Sequence, residues 1–307
     1  MLLKKNIDIL SSSEIDKGKW DWIVNNTNNG YIYAQSGFLD QLADDWSALI
    51  VGDYETILPI PFRKKWGIAY AYTPPFTQQL GLIGSTNDIP TVTIKKQIQK
   101  KYKYGTVLLN SGNEVLAREL GALPRANFYL SLQQPFSMLS KNFKKEIVRL
   151  SENRIEENWI YNKTTPIKDC VDVYRQIQGH KLPHVKLRDY EKFIHFGNHN
   201  KNPNIQCFSR SVHNPSGELC SVLVLLKDSK RIYNIINAST AEGRKENSNY
   251  LLYYECLKEF SNQPLIFDFE GSSIPGIANF YGKFNPLKEY YYLWHYNQLP
   301  FPFSIFP

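Results

Sequence analysis

The chain has 307 residues, of which 42% are hydrophobic and 14% aromatic, and its 36 basic and 29 acidic side chains leave a net charge of +7. That apolar content excludes a disordered chain, and the length is comfortable for two domains. No run approaches about 18 uninterrupted apolar residues, which excludes a helical membrane span.

In chain order, Ser11-x-x-Glu14 reads as a capping box, with a helix to residue 25 and a second helix over 37–44. Strands follow at 48–51 and 56–60 around a Gly-Asp-Tyr-Glu turn, then at 66–72, and one more at 79–83. A basic helix over 89–102 precedes a strand at 105–110. From residue 127 the same grammar restarts. A strand at 128–132 leads into a long helix over 136–157 with a cationic face that includes Lys145, Arg149 and Arg154. A short strand at 158–162, helices at 167–178 and 188–198, and a meander at 205–212, 218–226 and 231–238 come next. A helix at 248–260, a buried strand at 265–269, a short helix with Pro275 at its first position and Ser273 as candidate cap, and a Tyr-rich strand at 287–295 complete the chain. No Pro/Gly/Ser-rich linker separates the halves, so the expected division is 1–126 and 127–307.

Chemistry concentrates near the end of the 265–269 strand. Asp268 and Glu270 are two apart, which on a strand turns both carboxylates the same way. Such a pair suits a general base for an incoming amine; the alternative is a cap on the following helix or a partner for Arg or Lys. Asn237 and Ser239 end the last meander strand, where they can hydrogen-bond an acyl carbonyl or simply terminate the strand. Arg244 and Lys245 follow it as phosphate ligands or as loop decoration, and Arg149 lies either in a groove or on a solvated helix face. Trp66, Tyr70 and Tyr72 suit a groove or a core strand equally. The four cysteines are widely spaced without a CxxC, so neither a zinc site nor a disulfide framework is expected. The histidines do not cluster, and no metal is expected. No Gly-x-Ser-x-Gly elbow is present. The N-terminus lacks the apolar run of a signal peptide, and the cytoplasm is the expected compartment.

The order of paired helices, three-strand meander, helix, strand, helix, strand resembles the acyl-CoA N-acyltransferase (GNAT) fold. Ile236-Asn-Ala-Ser-Thr-Ala-Glu-Gly-Arg, Asn249-Tyr-Leu-Leu-Tyr-Tyr-Glu, Phe267-Asp-Phe-Glu-Gly-Ser and Phe280-Tyr-Gly-Lys-Phe-Asn sharpen the likeness. Together with Lys144-Lys-Glu-Ile-Val-Arg, Leu58-Pro-Ile-Pro-Phe-Arg-Lys-Lys-Trp-Gly and Tyr72-Thr-Pro-Pro-Phe, they are similar to the FemAB-type peptidoglycan-bridge aminoacyltransferases, which carry two GNAT-like domains. Two motifs depart from the pattern. The pyrophosphate loop, Ala241-Glu-Gly-Arg-Lys-Glu-Asn, has one glycine. In the Phe-Lys-x-x-Phe-Gly motif Tyr281 stands where the lysine would be, with Lys283 two residues on.

The resemblance implies an α/β protein of two tandem GNAT-like domains with mixed, mostly antiparallel sheets. It implies transfer of an acyl or aminoacyl group to an amine acceptor, a small molecule or a cell-envelope precursor, with acyl-CoA or aminoacyl-tRNA as donor and tRNA as a potential partner. In that chemistry Asp268 or Glu270 stands near the amine, Asn237 and Ser239 near the acyl carbonyl, Arg244 and Lys283 at phosphates, and Tyr281 as a hydrogen-bond donor. The two departures favour an alternative, a catalytically lapsed scaffold that binds a precursor or protein. RNA binding through the basic helices at 95–103 and 141–154 is a third reading.

Overall fold

We analysed a computed structural model, which describes residues 6–85, 89–271 and 274–303. It divides the chain into two compact units, residues 1–125 with 290–307, and residues 126–289.

The first unit opens with β1 (Ile7–Ser11), α1 (Lys17–Asn26) and α2 (Ser36–Leu42), followed by β2 (Asp45–Val51), β3 (Thr56–Lys65), β4 (Ile68–Ala71) and β5 (Ile83–Gly84). Then come α3 (Thr91–Lys101), β6 (Tyr104–Leu109) and α4 (Glu114–Leu120). The Ser11–Glu14 contact forms, with the Ser11 N–H donating to the Glu14 carboxylate at 2.8 Å, yet it closes a turn rather than a helix start. The helix begins six residues later at Lys17, because Asp16 caps it by accepting from the N–H groups of Gly18 and Lys19. β1, β2, β3 and β4 are antiparallel neighbours, β4 and β6 are parallel, and β5 pairs with β3. Leu49, Leu58, Ile94, Ile98, Tyr102 and Leu109 are core residues of this unit. Three asparagines fix the chain before β6: Asn110 Nδ2 donates to the Leu80 carbonyl, Asn113 Nδ2 to that of Leu82, and Asn29 Nδ2 also to Leu82.

The next strand, β7 (Leu123–Ser131), carries the chain into the second unit. There follow α5 (Phe136–Leu139), α6 (Lys145–Glu156), β8 (Ile160–Asn162), α7 (Ile167–Gln178), α8 (Leu187–His199), β9 (Gln206–His213), β10 (Leu219–Lys227) and β11 (Arg231–Ser239). The unit continues with α9 (Ala241–Lys245), α10 (Ser248–Phe260), β12 (Ile266–Asp268) and α11 (Pro275–Gly282), and the last strand is β13 (Leu287–Asn297). The sheet order is β7-β12-β11-β10-β9-β8, antiparallel except for the parallel pair of β11 and β12. β10 is buried from Cys220 to Leu226. Leu223 and Leu225 join the core around α10, and strand alternation sends Val222 and Val224 to the opposite face, which α7 covers. α10 buries most of its surface because β9, β10 and α6 pack around it, and only Lys258 is exposed.

Two expectations need correction. The 136–157 helix is broken, because Phe143 and Lys144 are extended. Phe143 turns inward to meet Phe136 at 6.1 Å and Phe284 at 5.4 Å, so the basic face is not continuous. Residues 290–307 belong with the first unit rather than with 127–289, because β13 pairs antiparallel with β6, Tyr292 opposite Leu109 through Asn297 opposite Tyr104. The Ser273 cap lies outside the described residues; Pro275 is at the first turn of α11. Among the described residues no helix is long and apolar enough to cross a membrane.

Candidate functional site

The second unit holds a cleft of about 540 Å³, and the local behaviour of two strands creates it. β12 pairs with β11 only over Arg231–Tyr233 and ends at Asp268. Opposite β10, Val224 faces Ile236 and Leu225 faces Asn234, which leaves Ile235 as the extra residue of a β-bulge. A bulge resets strand alternation. Asn234 before it and Asn237 after it therefore both reach α10: Asn234 Nδ2 donates to the Tyr253 hydroxyl at 2.7 Å, and Asn237 exchanges hydrogen bonds with the Asn249 amide at 2.9 and 3.1 Å.

Tyr281, on α11, is almost fully buried at 6% exposure. Its hydroxyl accepts from Asn234 Nδ2 at 3.3 Å, and the same amide nitrogen donates to the Tyr253 hydroxyl at 2.7 Å, so one asparagine holds both phenols. A phenol that accepts from an amide keeps its own hydrogen to donate. Burial, together with the nearby Glu270 carboxylate, pushes the Tyr281 pKa up to about 12, so it acts as a donor at neutral pH rather than a base. Phe269 at 5.0 Å and Phe280 at 5.8 Å fix the ring. The Asn234 side-chain oxygen Oδ1 is buried and has no hydrogen-bond partner among the described residues.

Of the eight residues singled out from the sequence, Glu270, Tyr281, Asn237, Ser239 and Arg244 line this cleft. Ser239 Oγ is 2.7 Å from Ser221 Oγ. Arg244 is exposed, donates to the Ser239 carbonyl at 2.6 Å, and pairs with no carboxylate among the described residues. Lys181, also exposed, adds a second cation to the lining.

Asp268, Lys283 and Arg149 are not among the lining residues. Asp268 and Glu270 do not share a face: the strand ends at Asp268, and Glu270 takes a left-handed φ of +58°. Asp268 is fully buried, paired with Arg231 at 2.8 Å, and accepts from Asn127 and from the Glu270 N–H, each at 3.0 Å. Burial raises its pKa, and Arg231, the Glu270 N–H and Asn127 pull it back. It organises the chain leading into Glu270. Gly271 follows because a Cβ there would stand 2.1 Å from the Ala126 carbonyl oxygen. Lys283 bonds the Tyr250 hydroxyl and pairs with Glu146 at 3.1 Å, which together hold its pKa above the usual lysine value. Arg149 lies on the exposed face of α6.

The single glycine of the Ala241–Lys245 turn serves packing. A Cβ on Gly243 would fall 2.1 Å from the Cys220 carbonyl oxygen, and its N–H donates to Thr240 Oγ1 at 3.1 Å. Among the described residues no group of three or more His, Cys, Asp or Glu could hold a metal ion.

Sequence reasoning missed Asn234, Tyr253 and Lys181. Asn234 had a signal: asparagines three apart, at 234 and 237, in an otherwise apolar strand break the period of two and mark a bulge. Tyr253 and Lys181 have none, since one sits in an apolar helix and the other in an irregular turn.

No protein-family model and no curated protein matches the sequence. Solved structures do match in fold. FemX superposes with a TM-score of 0.65 at 11% identity, covering 92% of this chain and 97% of FemX. The C-terminal domain (DUF2156) of a candidate lysylphosphatidylglycerol synthetase from Agrobacterium fabrum gives 0.54 at 11% identity, over 94% of this chain and 93% of that one. L-PGS from Bacillus licheniformis gives 0.51 at 13% identity, over 94% of each chain. The chain therefore has the mixed α/β fold of FemX and of the lysylphosphatidylglycerol synthetase domain.

Proposed function

We propose that the protein is a transferase of the FemAB-like/GNAT type, which moves an acyl or aminoacyl group from an ester or thioester donor to an amine. The observation that carries the reading is the buried Tyr281 hydroxyl, held by Asn234 and kept protonated, in a cleft that also contains Glu270. In this reading the amine nitrogen attacks the acyl carbon, and the Tyr281 hydrogen stabilises the developing oxyanion. The C–O or C–S bond to the donor then breaks. The amine proton passes to Glu270, directly or through water, and on to the departing alkoxide or thiolate. Asn237 and Ser239 position the acyl group, and Arg244 with Lys181 meets an anionic part of a substrate.

The tandem-domain reading has support in the order of elements. Each half runs strand, two helices, three-strand meander, helix, parallel strand, helix, strand: β1 to β7 with β5 as an addition, and β8 to β13 with α9 as an addition. We read this as a repeated GNAT-like unit whose last strands, β7 and β13, are exchanged. The lysylphosphatidylglycerol synthetase domain associates the fold with joining lysine to a lipid, and an envelope-type acceptor is our reading for this chain. Both donor classes are made in the cytoplasm, where we place the reaction.

Gly243 favours a second reading. Its N–H is spent on Thr240, so the turn offers that amide to no pyrophosphate, as in a lapsed scaffold that binds without catalysing. A thermal-shift screen with acyl-CoAs, a tRNA pool and nucleotide-linked envelope precursors separates the two. A ligand at about 100 times its Kd adds roughly 2.7 kcal/mol. The transferase reading expects a shift with a donor and, once the donor is known, a loss of about 10- to 100-fold in kcat for Tyr281→Phe with the melting point retained. Shifts with acceptors alone would support the scaffold.

A further inference from the structure

The β3–β4 hairpin closes with a two-residue turn. Lys65 pairs with Ile68, and Trp66 and Gly67 between them have φ of +51° and +78°. Two successive left-handed residues make the turn that Asn-Gly fills at low cost. A bulky aromatic at the first position is an outlier, which persists where something other than local stability favours it. Packing is not that something, because Trp66 is 84% exposed.

The surroundings of the indole are chemically one-sided. Ile68 is 48% exposed. Lys64 and Lys65 are exposed and pair with no carboxylate among the described residues, and Lys65 Nζ lies 4.6 Å from the centre of the Trp66 ring. Residues 56–72 contain Arg63, Lys64 and Lys65 but no Asp or Glu. Arg63 is already engaged, paired with Asp44 at 2.6 Å and lying over Tyr72. What projects is an amphipathic aromatic, an aliphatic side chain and two unpaired cations.

We propose that the Trp66 hairpin docks on an anionic lipid bilayer, the indole at headgroup depth and Lys64 and Lys65 against the lipid phosphates. Tryptophan partitions to that depth because its ring is apolar and its N–H still finds a partner there. Lysines are drawn to an anionic surface within a Debye length and keep their ammonium groups wet while their stems lie on the apolar layer. A single-stranded RNA would need successive stacking faces along a charged groove, and this tip offers one ring. With one indole and two lysines, the attachment is peripheral and reversible.

Vesicle sedimentation of the full chain tests the proposal. Vesicles of phosphatidylglycerol and phosphatidylcholine should retain the protein at low salt and release it as salt rises, and pure phosphatidylcholine should not retain it. Trp66→Asn should lower partitioning by about tenfold or more without lowering the melting point, because it installs the Asn-Gly turn. Lys64→Gln with Lys65→Gln should cost about fivefold per lysine, the equivalent of ~1 kcal/mol each. Lipids brominated near the headgroup should quench wild-type fluorescence and leave the Trp66→Asn protein unquenched. Trp66→Asn partitioning like wild type would overturn the proposal. So would equal binding to phosphatidylcholine, or binding of single-stranded RNA in place of vesicles.

Discussion

In the first unit β4 and β6 run parallel and meet at Ala71 and Gly105; in the second β11 and β12 run parallel from Arg231 to Tyr233 and then part. The first junction is shut. A Cβ on Gly105 would stand 2.6 Å from both the Cβ and the carbonyl oxygen of Ala71, so the two backbones touch, and Ile94, Ile98 and Tyr102 fill the space beside them. The second junction is open. β12 stops after three residues, β11 bulges at Ile235, and residues 234–239 keep a strand partner on the β10 side only among the described residues. The same succession of strand, helix and parallel strand thus gives a packed core in one place and a polar cleft in the other. What differs is local: a glycine that lets backbones close, against a bulge and a left-handed glutamate that hold them apart.

If Asp268 is the post on which the open junction stands, removing it should break the second unit rather than slow a reaction. Asp268→Ala leaves Arg231 with Glu289 at 3.3 Å as its remaining carboxylate and takes the acceptor from the Glu270 N–H, and the expected loss is about 2–4 kcal/mol of unfolding free energy in a urea titration. A variant of normal stability with a large fall in rate would return Asp268 to the chemistry. At the closed junction, Gly105→Ala must push β4 and β6 apart. Its cost should be about 1–3 kcal/mol, as for other overpacked sites, with ligand-induced shifts in the second unit unchanged. A neutral Gly105→Ala would mean that the first junction has slack and is not held shut by contact.

The difference between the junctions was only partly legible in the sequence. α7 and α10 stand at the residues expected, 167–178 and 248–260, because each carries a long helical pattern and a clear stop. The sequence pattern runs unbroken over 136–157 because Phe143 is apolar at a helix-compatible position; its packing against Phe136 and Phe284 pulls the chain out of the helix. β1 and α4 were not foreseen; β1 is held by pairing with β2 and α4 lies after the asparagine-rich bend at 110–113. At the site, the strand-end carboxylates were noticed, but alternation failed at Glu270 because strand length is a tertiary outcome. β12 ends where Asp268 turns to Arg231, a partner 37 residues away in sequence. Lys283 reads as a free cation until Glu146 and Tyr250 are folded against it.

The smallest effect distinguishes the units by what is buried in them. All four cysteines lie between residues 170 and 256, in the second unit. Burial lifts the thiols of Cys170 and Cys256 from an ordinary value of 9.0 to about 12. A folded-state pKa above the unfolded value means the unfolded chain sheds its proton first, so stability is intact below pH 9 and falls as pH rises from 9 towards 12. Buried tyrosines load both units, among them Tyr72 and Tyr102 in the first and Tyr174 and Tyr281 in the second, each at about 12. Their ordinary value of 10.0 delays that loss by one pH unit. Between pH 9 and 10 the second unit should therefore weaken ahead of the first, by roughly 1 kcal/mol per thiol at pH 9.5. Pulse proteolysis in urea at pH 8 and pH 9.5, with the fragments mapped by mass spectrometry, should show cleavage advancing in residues 126–289 while the first unit holds. Equal advance in both units would mean that the thiols are not shielded from solvent as their burial implies, and Cys256→Ala should then leave the pH profile unchanged instead of flattening it.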